Sequence, residues 1–324
     1  MSARAIVLTL LALALSSAAQ AQPDEARIGL YVVDIAQINE RENTFQIELD
    51  VISSWFDPER ATGERQEFSD SEAVKFLDQG WYARAFITNA KAGINLHLIH
   101  TTLHPDGRIV NRARLEAIVR APLDFREFPF DSQDLRLQVE SFSHDADALT
   151  LVLDEEFSGF DRNFQMPEWE VLGTEASVSP MLREQDQRTY SRLEFSVNVK
   201  RQTGYYLWKV VLPLTLITMI SWVVFWMGSE GLGRRAGVSA TGMLTVIAYQ
   251  FIIAGSLPRF PYLTVLDKVA LLALFLIAAT MVENLASARV DEERRAQIDR
   301  ASRFVFPLAL TLGLAAILLR ALAS

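Results

Sequence analysis

The stretch AGVSATGMLTVIAYQFIIAGSLP, residues 236–258, runs without a single charged side chain. About 20 apolar residues cross the hydrocarbon core of a bilayer, and a charge at its centre is costly, so length and composition read as a membrane span. Its small and hydroxyl residues are ordered. Steps of four and three place Gly237, Thr241, Leu244, Ala248 and Phe251 on one helical stripe. A stripe that is small and polar at one end and apolar further along suits the wall of a water-filled path with a hydrophobic constriction. The same residues would also serve tight packing between helices. The segment alone leaves both readings open.

Working outward, three further stretches qualify as spans: 210–229 and 304–319 carry no charge, and 269–288 carries only Glu283. These predict a transmembrane domain over 205–324, with spans at about 206–228, 235–257, 267–289 and 304–322. The whole chain of 324 residues has 31 Lys and Arg, 40 Asp and Glu and no cysteine. Disulfide scaffolds, thiolate metal sites and thiol nucleophiles are therefore excluded. The charge is unevenly placed: residues 23–204 carry a net −14 and residues 205–324 a net +4. At the N-terminus, Arg4, the apolar run 6–15 and Ala19-Gln20-Ala21 predict a signal peptide over 1–21, so that the acidic part is exported. Orientation agrees, since Arg234 and Arg235 fall between the first two spans and Arg289, Arg294, Arg295, Arg300 and Arg303 between the last two.

Residues 22–204 read as strands. Phe45, Ile47, Leu49 and Val51 alternate with Gln46, Glu48 and Asp50, and the same period recurs in Leu135, Leu137 and Val139 and in Leu193, Phe195, Val197 and Val199. One helix is predicted over 69–79, with Ala73, Phe76 and Leu77 on a single face, and Pro105-Asp106-Gly107 predicts a hairpin turn. Many short strands argue for a β-sandwich. The sandwich meets the first span almost without spacer after Gly204. Because one helix cannot enclose a pore, the pore reading requires a ring of identical subunits.

Three motifs carry a resemblance: Phe128-Pro129-Phe130-Asp131, the Tyr205-Tyr206-Leu207-Trp208 entry to the first span with its Pro213, and Leu257-Pro258-Arg259-Phe260-Pro261-Tyr262 after the second. Together, and in this order, they resemble the pentameric ligand-gated ion channels of the Cys-loop receptor superfamily, in the bacterial form without the loop cysteines and nearest to the amine-gated type. The resemblance implies an all-β extracytoplasmic sandwich followed by an all-α four-helix transmembrane domain, assembled as a homopentamer in a bacterial inner membrane with the N-terminal domain periplasmic. It implies coupling between Phe130 and Asp131 and the linker residues Pro258, Arg259 and Pro261, with Arg201 as the charge partner of Asp131. It implies an agonist box of Phe86, Glu140, Phe142 and Tyr190, faced by Asp50 and Arg112 of the neighbouring subunit. Aromatic faces and a carboxylate suit an ammonium group. Arg112 turns the expectation towards an amino-acid-like zwitterion over a simple amine. Permeant-ion selectivity stays open: Arg234 and Arg235 at the inner mouth incline it towards anions, whereas the acidic vestibule would concentrate cations.

Other classes find less support. The histidines, His97, His100, His104 and His144, form no HExxH motif, and neither a GxSxG nor a phosphate-binding glycine loop occurs. No enzyme, cofactor, metal site or nucleic-acid partner is expected, and Asp154-Glu155-Glu156 reads as a solvated loop. The competing reading is a membrane-anchored periplasmic sensor that does not conduct. It would need neither four spans nor an ordered polar stripe.

Overall fold

The computed structural model describes residues 24–91, 93–164, 166–228, 231–256 and 261–322. The expected signal peptide, Pro258 and Arg259 lie outside them. Alternating side chains build two facing sheets. The larger has the order β3 (Gln66–Ser69), β5 (Asn95–Leu103), β6 (Arg108–Arg120), β2 (Thr44–Phe56), β1 (Asp24–Asn39), β8 (Leu149–Leu153), with β9 (Gly159–Phe160) also on β1. The smaller has the order β10 (Trp169–Arg183), β11 (Arg188–Arg201), β7 (Ser132–Ser141), β4 (Ala85–Ile87). Phe45, Ile47 and Leu49 of β2 meet Leu135, Leu137, Val139, Leu193, Phe195, Val197 and Val199 in one buried core. Non-polar burial of this kind is the main stabilising contribution to such a sandwich. Helix α1 (Asp70–Asp78) buries Ala73 and Leu77, and Phe76 stacks on Phe68 at 4.3 Å between ring centres. The β5–β6 turn needs its glycine: Gly107 has φ +92°, and a Cβ there would stand 2.5 Å from the Asp57 carbonyl oxygen.

Two residues after β11 the chain enters the helices: α2 (Gly204–Trp226), α3 (Leu232–Ser256), α4 (Val265–Ser287) and α5 (Glu292–Leu322). Among the described residues α2, α4 and α5 are long and apolar enough to cross a membrane. The 25 residues of α3 give it roughly 37 Å, ample for the same span. Helix α3 packs on α2 and α4, and α5 packs on α4 and on the last turn of α2. A capping box between Thr264 and Asp267 starts α4.

Pro213 shapes the first span. It has no N–H for the Lys209 carbonyl four residues back, and the turn Leu207–Val211 opens into a π-helix. The Tyr249 hydroxyl of α3 donates to that Lys209 oxygen at 2.6 Å. A break in one helix thus becomes an attachment point for the next. Tyr249→Phe is expected to lower the stability of the solubilised protein by about 0.5–1.5 kcal/mol, the net worth of a typical hydrogen bond. In a Pro213→Ala background, where residue 213 regains its N–H, the loss should shrink; thermal unfolding of the four proteins of this cycle checks it.

Candidate functional site

Three places on the chain hold the expected residues. At the junction of sandwich and helices, the buried Arg201 at the end of β11 donates from Nε and Nη2 to the two oxygens of buried Asp131, at 2.8 and 3.2 Å. Its Nη1 lies 2.6 Å from Glu40 in the β1–β2 loop. The guanidinium sits between rings, 4.1 Å from the centre of Trp169 and 4.6 Å from that of Phe128. Burial opposes the Arg201 charge, yet the hydrogen bonds and charge of Asp131, with the charge of Glu40, raise its pKa. Burial also pushes the Glu40 carboxyl above 4.5, against the pull of Arg201.

The expected contacts of Phe130 and Asp131 with Pro258 and Arg259 fall outside the described residues. Phe128 is the wedge: it is buried with Phe125 and Leu266 of α4, and its ring lies 4.7 Å from Tyr206. The Phe125 N–H donates to the Tyr262 hydroxyl at 3.2 Å, so the loop reaches the linker through Phe125. Phe130 is half-buried and its N–H bonds back to the Glu127 carbonyl, while Pro261 is exposed. Of the two phenylalanines in Phe-Pro-Phe-Asp, Phe128 is the one that is fully buried.

At the edge of the smaller sheet, register brings Phe86 opposite Glu140, and Glu140 opposite Arg192. The rings of Phe86 and Phe142 meet edge to face at 5.7 Å, and Phe142 is 70 % exposed. Tyr190 is buried and its hydroxyl donates to Asp186 at 2.7 Å. That bond lowers the Asp186 pKa and raises that of Tyr190. Glu140 does not face the box as an unpaired carboxylate: it is buried and held by both Arg183 and Arg192. Asp50 and Arg112, expected from the neighbouring subunit, both stand on the larger sheet of this chain. Asp50 pairs with Arg114, bidentate at 2.7 Å for each bond, and Arg112 lies over the Phe157 ring at 5.6 Å. Arg114, Arg183 and Arg192 were not singled out in the sequence, since strand alternation says which face a residue takes but not which strand it will meet.

On α3 the stripe is intact. Gly237, Thr241, Leu244, Ala248 and Phe251 are all exposed, Leu244 by 68 % and Phe251 by 75 %, on the face turned away from α2 and α4. The packing face uses different small residues. Gly242 lies against Ser221 and Ile277, and Ser239 receives a hydrogen bond from Asn284. Arg235 turns into the bundle: it is buried, donates to Asp299 at 2.5 and 3.2 Å, and lies 3.9 Å from Glu283. The expectation that it adds charge to the inner mouth is corrected, for Asp299 neutralises it, while Arg234 beside it is exposed.

The comparisons with known proteins agree with this arrangement. Residues 16–203 match the neurotransmitter-gated ion-channel ligand binding domain, and residues 210–289 match the neurotransmitter-gated ion-channel transmembrane region. The chain belongs to the neurotransmitter-gated ion-channel family. It is 27 % identical over 302 residues to a proton-gated ion channel of Gloeobacter violaceus, covering 90 % of this chain and 82 % of that protein. It is 24 % identical over 302 residues to the gamma-aminobutyric acid receptor subunit beta-4 of Gallus gallus, covering 87 % of this chain and 59 % of that subunit.

The raised pKa of Glu40 has a consequence for stability. The folded protein holds this proton more tightly than the unfolded chain, so stability falls as pH rises from 4.5 through the raised value, and the loss is complete above it. Glu40→Gln is expected to flatten that part of the stability–pH curve, measured by thermal unfolding of the purified protein. An unchanged slope would remove Glu40 as its source.

Proposed function

We propose that the chain is the subunit of a homopentameric ligand-gated ion channel of a bacterial inner membrane, with the sandwich periplasmic and α3 lining the pore. The observation that carries this reading is the stripe on α3. A helix whose small and hydroxyl face is exposed, while its other face is packed on two neighbours, has the surface expected where five copies surround an aqueous path. Thr241 and Thr245 satisfy their hydroxyls on the carbonyls four residues back, which leaves oxygen atoms along that path. Leu244 and Phe251 would form its apolar constrictions.

In this reading, a small amino-acid-like agonist, favoured over a simple amine, binds between adjacent sandwiches, at the box of Phe86, Glu140, Phe142 and Tyr190 on one side and Asp50 and Arg112 on the other. The signal passes through Asp131, Arg201 and Glu40 to α2, and through Phe125 and Phe128 to Tyr262 and α4. The buried ion pair supports this role, because a charge desolvated at a domain boundary tolerates few arrangements of the two domains. Permeation favours anions, drawn by a ring of Arg234; with Arg235 neutralised by Asp299, that ring has one arginine per subunit.

Reconstitution into planar bilayers, with current recorded during a screen of amines, amino acids and acidic pH, tests the reading. Leu244→Ser is expected to ease opening and shift activation to at least tenfold lower stimulus, since a polar side chain removes the dewetted barrier. The reversal potential in asymmetric chloride should follow the chloride gradient. A stimulus response unaltered by Leu244→Ser would move the gate off this residue, and a reversal potential following the cation gradient would overturn the anion assignment.

A further inference from the structure

We propose that Arg183 is a tethered occupant of the aromatic box, and that it makes the site exclude simple amines. This rests on the reading of the box as the ligand site. A bound ammonium or guanidinium needs an aromatic face, a carboxylate and a carbonyl oxygen within reach. Arg183 already has all three. Its guanidinium carbon lies 3.5 Å from the centre of the Tyr190 ring and 5.9 Å from that of Phe142. Its Nη2 is 3.3 Å from Glu140 Oε2 and 3.4 Å from the Ser141 carbonyl oxygen. Arg192 Nε donates to the other Glu140 oxygen at 2.5 Å. Both oxygens of Glu140 are therefore engaged by the protein's own cations.

The hairpin holds the occupant in place. Arg183 is the last residue of β10, paired across the turn with Arg188, and its Nη1 lies 3.7 Å from Asp186. Asp186 in turn accepts the Tyr190 hydroxyl. A group tethered this closely competes at an effective concentration of the order of millimolar or more. An amine whose own affinity is millimolar cannot displace it. A ligand that does bind must meet the guanidinium edge with a hydrogen-bond acceptor, which fits a small carboxylate or a zwitterion better than a bare ammonium ion.

The test uses the purified full-length protein, its Arg183→Ala and Arg183→Lys variants, and propylammonium chloride as the probe, with binding measured by calorimetry. Arg192 still neutralises Glu140 when Arg183 is removed, so the sheet edge keeps its pairing. The wild type and Arg183→Lys are expected to show no saturable binding at millimolar propylammonium. Arg183→Ala should bind it at least tenfold more tightly, and methylguanidinium should compete. Equal binding by wild type and Arg183→Ala, or none by either, overturns the proposal. The outcome is separable from that of the channel reading, which is decided by current: acid-evoked current with no amine binding in Arg183→Ala defeats the plug alone, and amine binding without current under any stimulus defeats the channel alone.

Discussion

The guanidinium of Arg201 is the point on which the two halves of the molecule depend. Arg201 is the last residue of β11, two residues short of the first membrane helix, it is buried, and it cannot lose its charge. A charge taken out of water in this way is tolerable only if its partners are fixed, and removing one partner of such a pair costs about 3–5 kcal/mol. Asp131 from the β6–β7 loop, Glu40 from the β1–β2 loop, and the rings of Phe128 and Trp169 are consequently drawn to one point. Four separate segments of the sandwich converge directly above α2. The same loop that supplies Asp131 supplies the Phe128 wedge, so the electrostatic and apolar contacts of the junction come from neighbouring residues.

The inner end of the bundle repeats the device with the roles exchanged. There Arg235 opens the α3 helix and is sealed by Asp299 of α5 and by Glu283 of α4. Between these two buried charges α3 is fixed by Tyr249 and by the close approach of Gly242 to Ser221. One face of α3 is thereby committed to its neighbours over its length. The opposite face carries Gly237, Thr241, Leu244, Ala248 and Phe251, which are exposed and take no part in these contacts.

Much of the architecture was legible in the chain. Period-two alternation found β2, β7 and β11, the capping and spacing around 69–79 found α1, and the uncharged runs found the helices. The Asp131–Arg201 pair was legible as well, through the family resemblance, since Asp131 closes the Phe-Pro-Phe-Asp motif and Arg201 stands just before the first span. Local signals of this kind arise within a few residues and survive without knowledge of the fold. The box was legible only as a set of residue types: Phe86, Glu140, Phe142 and Tyr190 lie towards one end of the smaller sheet, but their electrostatic state depends on Arg183 and Arg192, which no motif marks.

The sequence by itself determined that an acidic sandwich precedes four apolar segments, that residues 236–258 form an amphipathic stripe, and that the loop at 128–131 lies at the junction. Composition and periodicity suffice for these because burial and membrane insertion act on the average polarity of a segment. Apart from the Asp131–Arg201 pair, tertiary structure alone decided the partners of the charges. Arg112 and Arg114 are two residues apart on one strand, yet only Arg114 meets Asp50; Arg234 and Arg235 are adjacent, yet only Arg235 enters the bundle. The physical reason is that Coulomb and hydrogen-bond energies depend on distances of a few ångströms between segments remote in the chain, and those distances exist only after strand register and helix rotation have been set.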